Sequence, residues 1–334
     1  MSRSHARLAV VAVVAALAAA AVARLAFAGG QSAPIGTGVV VIDTDLAYEG
    51  GAAAGTGMVL TSSGDVLTNN HVIRGATTIR IVVPGSGHSY AARVVGYDVP
   101  ADVAVLRAVG AANLRTISLG NSSSLRVGQP VTAIGNAGGT GSLTSSRGTV
   151  TGVARAITVS DERGGTERLT GLIETNAGLE PGDSGGPLLS ASHKVIGMDT
   201  AASANGRTFQ NVASADGYAI PINRAVAIVK LIETGKASAA VHIGATAFLG
   251  VELTSGYASG AAVAAVVPNG PADRAGLGPG DLITAVDGRR IASPSSLTAL
   301  VLSKKPGARL TITYDAPRGG SSSATVSLGS GPPQ

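Results

Sequence analysis

Within the run Pro181-Gly182-Asp183-Ser184-Gly185-Gly186-Pro187, one hydroxyl stands among glycines, followed by the apolar pair Leu188-Leu189. A serine hydroxyl is a weak nucleophile at neutral pH, so chemistry at Ser184 needs a base for its proton and donors for the oxyanion that forms. The glycines serve the second need. Without Cβ atoms they permit a tight turn, partly at positive φ, that can aim the main-chain N–H groups of Gly182 and Ser184 at one point. The same composition is also ordinary turn chemistry, so the partners decide the matter. Of five histidines, only His71 stands between a strand-like run and an apolar continuation, in Val66-Leu67-Thr68-Asn69-Asn70-His71-Val72-Ile73. His5 lies in a leader-like segment, and His88 and His193 sit in Gly/Ser-rich loops. An acid must then hold the imidazole tautomer, and Asp102 at the mouth of the apolar run Val103-Ala104-Val105-Leu106 can do so.

The order His71, Asp102, Ser184 is that of the chymotrypsin-type peptidases. The segments Thr68 to Val72, Asp102 to Leu106 and Pro181 to Pro187 resemble the TNxHV, DxAVL and PGxSGGP motifs of the HtrA (DegP-type) family. Gly182-x-Ser184-x-Gly186 also fits the nucleophile elbow of α/β-hydrolases, for which Asp199 and His242 would supply the later acid and base. That fold needs strand, turn and helix, whereas Ser184 is followed by a hairpin-like stretch with no βαβ alternation around it.

The elements that must position these residues are predicted as strands. The 334 residues are 45% hydrophobic and 13% charged, with 47 glycines, nine aromatics and no tryptophan, a composition for a turn-rich, mainly β protein large enough for two domains. Twelve short apolar runs between 38 and 220 divide into two sets of six, which predicts two antiparallel barrels. His71 and Asp102 fall in the first and Ser184 in the second, so the site is expected in the cleft between them. Residues 223–234 follow as a helix capped by Asn223, with Ala225, Ile228, Val229 and Ile232 on its apolar face and Gly235 ending it.

The resemblance also covers the rest of the chain. A linker is expected at 237–245. From 246 to 334, Phe248-Leu249-Gly250-Val251, the Pro271 to Leu277 turn-helix and Gly280-Asp281-Leu282-Ile283 resemble a bacterial PDZ domain, a small α+β barrel. Ser293 caps a helix with Pro294 at its first position, and Gly319 to Gln334 is expected to be a strand with a frayed tail. The resemblance implies that Phe248, Leu249, Gly250 and Val251 form a loop binding the carboxylate of a peptide C-terminus. It places Gly178, six residues before the serine, at the base of the substrate pocket, with Thr200 and Ala201 on its wall. An uncharged base implies cleavage after small or medium aliphatic residues.

Residues 1–28 read as a leader: Arg3, His5 and Arg7, an apolar run from Leu8 to Ala23, then Ala26-Phe27-Ala28 before Gly29. The expectation is export, secreted or associated with the cell envelope, with an uncleaved single-span anchor as the alternative. The formal net charge of +5 drops to +2 once Arg3, Arg7 and Arg24 are set aside, leaving 22 basic and 20 acidic residues, so no nucleic-acid partner is implied. No residue cluster has metal-ligand spacing and no cofactor is expected. With 334 residues in this order, the chain is most like the secreted PepA-type members of the HtrA family in actinobacteria.

Two departures from that family stand out. Asp183 occupies a position where DegP-type members usually carry Asn. Chymotrypsin-type zymogens carry Asp there and pair it with a freed N-terminus, but a turn Asp can also satisfy itself on local N–H groups. Asp43 to Ala54 is too short for the long loop behind the family's cage-like oligomers, so a homo-oligomer is left open. Two activities fit: a serine endopeptidase acting on polypeptides, or a latent, chaperone-like peptide-binding protein whose triad is not assembled at rest.

Overall fold

Val39 to Ile42 are four consecutive β-branched residues whose side chains alternate between two cores, with Val40 and Ile42 packing inside a first barrel and Val39 against its neighbour. The computed structural model describes residues 36–48, 50–160, 166–202, 217–254, 259–317 and 319–334. The leader expected over 1–28 lies outside them. Among the described residues, no helix is long and apolar enough to cross a membrane.

The first barrel comprises β1 (Val39–Leu46), β2 (Gly51–Val59), β3 (Asp65–Thr68), β4 (Thr78–Val82), β5 (Ser89–Asp98) and β6 (Val103–Ala108), closed by the pairing of β5 with β6. A one-turn helix α1 (Asn70–Ile73) carries His71 between β3 and β4. β1 and β2 are antiparallel and paired from Val39↔Met58 to Leu46↔Gly51, so strand occupies most of the segment after Val39.

The second barrel is closed as well: β7 (Pro130–Gly135), β8 (Thr144–Ser160), β9 (Thr166–Thr175), β10 (Pro187–Ser190), β11 (Val195–Ala202) and β12 (Gly217–Pro221). Its interior is filled by Val131, Val150, Ile173, Leu188, Ile196 and Ala219. A third core joins the barrels through Met58, Leu67, Val103, Val105, Ile134, Met198 and Ile220. Helix α2 (Ile222–Glu233) seals this core with Ala225, Ile228, Val229 and Ile232, the face expected from the sequence. Its start differs. Pro221 is the N-cap, and Asn223 lies inside the first turn, where its side chain accepts from the Ser122 N–H and donates to Asn121.

Residues 237–245 are not free of structure. β13 (Val241–Ile243) adds to the first barrel beside β5, in register from Val241↔Asp98 to Ile243↔Gly96. Beyond it, β14 (Thr246–Phe248), β15 (Val251–Thr254), β16 (Ala261–Val266), α3 (Pro271–Arg274), β17 (Leu282–Val286), β18 (Arg289–Arg290), α4 (Pro294–Leu302), β19 (Arg309–Asp315), β20 (Ser321–Ser327) and β21 (Gly329–Gly331) surround a separate apolar core. Ser293 and Ser296 form a reciprocal capping box at the start of α4, with Pro294 in the first turn as expected. The frayed tail does not occur: β21 pairs with β14, and the residues beyond it are bonded to the first barrel. Gly38–Gln334 form one compact unit.

Candidate active site

The turn that carries Ser184 is built from residues only glycine can supply. Gly182 has φ +99 and Gly185 φ +85, and an added Cβ would lie 2.1 Å from the Asn136 carbonyl oxygen in one case and 2.1 Å from that of Thr56 in the other. Thr56, fully buried on β2, stitches this turn to both barrels. Its hydroxyl donates to the Gly182 carbonyl at 2.7 Å and accepts from the Asn136 N–H at 2.9 Å, while its own N–H donates to the Ser184 carbonyl at 2.8 Å. The N–H groups of Gly182 and Ser184 donate to no protein group among the described residues. Unengaged N–H groups beside a nucleophilic hydroxyl are the kind of donor that an oxyanion needs.

His71 and Asp102 are brought together across the first barrel. Asp102 is 2% exposed and sits at φ +52 just before β6. Its Oδ2 lies 2.8 Å from His71 Nδ1 and its Oδ1 accepts the main-chain N–H of His71 at 3.0 Å, fixing both ring and backbone. Asn69 donates to the Asp102 carbonyl at 2.9 Å. Thr200 then joins the acid to the serine: its hydroxyl donates to Asp102 Oδ2, and its main-chain carbonyl accepts from Ser184 Oγ at 3.3 Å.

Thr200, expected on the wall of the substrate pocket, turns its side chain to the acid and its main-chain carbonyl to Ser184. Its side chain is 4% exposed and committed to Asp102. Gly178 sits at φ +64, where an added Cβ would meet only Ser146 Oγ at 3.4 Å. The side chain of Glu174, the neighbouring acid on β9, is engaged by Tyr218 at 3.1 Å and Arg155 at 3.0 Å. Ala201 is a β11 residue opposite Tyr218. Among the described residues, no group of three or more His, Cys, Asp or Glu side chains could hold a metal ion.

Beneath the turn lie two buried carboxyls. Asp183 Oδ2 accepts the Glu180 N–H at 2.9 Å, the local satisfaction open to a turn Asp, but Oδ1 is unpaired. Burial pushes the Asp183 pKa up, opposed by that bond. Asp199 on β11 is fully buried with neither oxygen hydrogen-bonded, so burial, and after it repulsion from Asp183, raises its pKa well above the usual carboxylate range. The native state therefore keeps a proton that the unfolded chain releases near pH 4. Stability from this group is complete below that pH and is lost as pH rises toward the raised native value. Asp199→Asn is expected to raise the melting temperature at neutral pH and flatten its fall from pH 4 upward. Thermal unfolding at several pH values checks this, and an unchanged slope contradicts it.

In the C-terminal domain, the loop between β14 and β15 borders a cavity of about 150 Å³ lined by Leu249, Gly250, Val251, Leu297, Val301 and Gln334, among others. The N–H groups of Leu249 and Gly250 donate to no protein group among the described residues, and Gly250 has φ +78. Phe248 stacks on Tyr48 of the β1–β2 turn with ring centroids 5.3 Å apart. Leu300, on the same helix, packs into the domain core instead of lining this cavity.

Two barrels with a serine, a histidine and an aspartate gathered across them define a trypsin-like peptidase fold, here joined to a smaller β domain. Residues 55–198 match the family described as trypsin-like peptidase domain, and residues 247–326 match the PDZ domain. The chain is 37% identical over 315 residues to serine protease PepD of Mycobacterium tuberculosis, covering 89% of this chain and 65% of that one. It is 33% identical over 270 residues to the periplasmic serine endoprotease DegP of Escherichia coli K12, covering 78% and 54% respectively. The solved structure of the HtrA-type protease AlgW with a tripeptide superposes with a TM-score of 0.50 at 28% identity, over 89% of this chain and 95% of that one. The chain belongs to the HtrA family. It spans 54 to 65% of the length of the two curated relatives named here.

Thr56 is a residue of this site that no motif names: it is a polar side chain inside the otherwise apolar strand β2, and that interruption is the one signal the sequence carries for it. Thr200 is expected only on a pocket wall, and no motif carries its bond to Asp102. A buried threonine must find partners, and both find them around Ser184.

Proposed function

We propose that this chain is a serine endopeptidase that cleaves unfolded or exposed polypeptides by way of an acyl-enzyme. The observation that carries the reading is Thr200 binding Asp102 through its hydroxyl and Ser184 through its carbonyl, with His71 held on the same Asp102. In this reading Asp102 keeps the proton of His71 on Nδ1, and Nε2 takes the Ser184 proton as Oγ attacks the scissile carbonyl. The N–H groups of Gly182 and Ser184 receive the oxyanion, and His71 returns the proton to the leaving amine. Water then repeats the steps to release the acid.

The segment 35–236 is assigned to the protease, 237–245 to the connection and 246–334 to the PDZ domain. Gly178 offers no carboxylate to a basic side chain, and Glu174 is already paired, so small or medium aliphatic residues are favoured before the cleaved bond. Burying an unpaired guanidinium there would cost several kcal/mol. Digestion of a peptide library tests activity and preference together. Cleavage after Val, Ala or Leu, unaffected by chelators, is expected; a profile dominated by Arg or Lys contradicts the pocket, and no cleavage contradicts the activity.

The PDZ cavity is assigned to peptides with a free carboxylate and an apolar last side chain, supported by the unengaged N–H groups of Leu249 and Gly250. An affinity of about micromolar, roughly −8 kcal/mol, is expected. Calorimetry with a peptide and its C-terminal amide reads the carboxylate directly, and equal binding of the two removes this role. Export rests on the leader-like residues 1–28 and accords with a periplasmic relative. It calls for an extracellular form starting at Gly29, and a Met1-containing chain in membranes would speak for the anchor.

A further inference from the structure

The helix that presents His71 is a single turn. α1 spans Asn70–Ile73, and its N-cap residue makes no side-chain cap bond. One turn of helix is not stable on its own, so the orientation of the imidazole depends on what holds the turn from outside. Asp102 holds it on one side. On another, the support comes from residues that belong to the PDZ domain.

After β21 pairs with β14, Pro332–Gln334 crosses to the first barrel. The Pro333 carbonyl accepts the Gly75 N–H at 2.8 Å, and the main-chain oxygen of Gln334 accepts from Asn70 Nδ2 at 2.9 Å. These two bonds bracket His71, one just before it and one just beyond α1. The Gln334 N–H in turn donates to the Tyr97 hydroxyl at 3.4 Å, and that hydroxyl is 3.2 Å from Thr246 Oγ1 on β14. Asn70 is 2% exposed, and Pro333 is buried. A buried amide committed to a remote main-chain oxygen has no role in the chemistry of Ser184, and two prolines in a row fix the φ angles of the segment that reaches it.

We propose that Pro332–Gln334 is a strap through which the PDZ domain positions His71, with Asn70 as the positioning residue that receives it. The proposal rests on His71 being the base. Without the strap, α1 loses the two bonds that bracket His71 and keeps only its core packing and Asp102, so the His71 Nδ1 to Asp102 contact loosens. The carboxylate then stabilises the imidazolium less, so the ionisation of His71 moves to lower pH. Proton transfer is sensitive to small displacements of this kind.

The test compares the full chain with Asn70→Leu, with a chain lacking Pro332–Gln334 and with the two changes combined, on a short peptide ester. Rates are taken per site titrated with a fluorophosphonate, so that unfolded molecules do not count. The expected result is a fall in kcat of about ten- to a hundredfold with KM nearly unchanged, and an acid limb of the kcat profile displaced to lower pH. The combined variant should be no worse than the shortened chain alone, because the deletion already removes the bond that Asn70→Leu removes. Where the shortened chain fails to fold, Tyr97→Phe weakens the anchor of Gln334 and should show the same displacement to a smaller degree. Variants with parental kcat and an unmoved acid limb overturn the strap, whatever their melting temperatures, and so does strict additivity. A parent chain without activity overturns the assignment of His71, and the proposal with it.

Discussion

Ser184→Ala is expected to abolish hydrolysis while leaving the fold in place. The change removes one oxygen, which among the described residues makes a single side-chain bond, a 3.3 Å donation to the Thr200 carbonyl. A neutral hydrogen bond of that kind contributes about 1 kcal/mol to stability. The main-chain links that shape the turn, from Thr56 N–H to the Ser184 carbonyl and from Gly185 N–H to the Asp199 carbonyl, are untouched. The chemical loss is far larger. Without a nucleophile the acyl-enzyme route is closed, and kcat should fall by roughly 10⁴ to 10⁶, the scale found when a triad serine is removed elsewhere. Hydrolysis rates and thermal unfolding of the purified variant measure both halves. Residual activity above about one hundredth of the parent would contradict the role of Ser184.

Asp102→Asn is expected to be nearly as damaging, for a different reason. The two side chains have the same shape, but Asp102 accepts three donors: the main-chain N–H of His71, His71 Nδ1 and the Thr200 hydroxyl. An amide offers one acceptor oxygen in place of two and brings two protons of its own. If its oxygen keeps the main-chain bond, its NH₂ faces Nδ1 and forces the imidazole to carry its proton on Nε2. That tautomer cannot take the Ser184 proton. A loss of about 10⁴ in kcat with little change in KM is expected near neutral pH. Combining the substitution with Ser184→Ala should cost no more than Ser184→Ala alone, since residues acting as one unit are not additive. An Asp102→Asn enzyme within tenfold of the parent would place the acid elsewhere.

The parts of this molecule that could be read from its sequence are those where one residue type answers one local need. The twelve barrel strands follow from β-branched runs separated by turns, and the face of α2 follows from apolar spacing. Ser184, His71 and Asp102 stand out because their neighbours repeat a recurring family pattern. What could not be read depends on partners distant in the chain. Nothing near Asn223 says that its side chain will be drawn to Ser122 and Asn121 and leave Pro221 to begin α2. Thr200 looks like any strand residue until Asp102, 98 positions earlier, is brought beside it. The stretch after Ser327 has the glycine and proline content of a loose end. It is ordered because the edge of β14 and the polar groups of Asn70 and Gly75 are left for it to pair with. Val241–Ile243, expected within a linker, is likewise a strand because β5 offers it an open edge.

In the proposed mechanism Ser184, and no other hydroxyl, is activated by His71 and Asp102. Labelling the intact chain with a fluorophosphonate tests this most directly, because the reagent needs an assembled site and no knowledge of the substrate. One adduct per chain is expected, located by mass spectrometry on Ser184, formed far more slowly in Asp102→Asn and absent in Ser184→Ala. An adduct on another residue, or equal labelling of the parent and the Ser184→Ala variant, would contradict it.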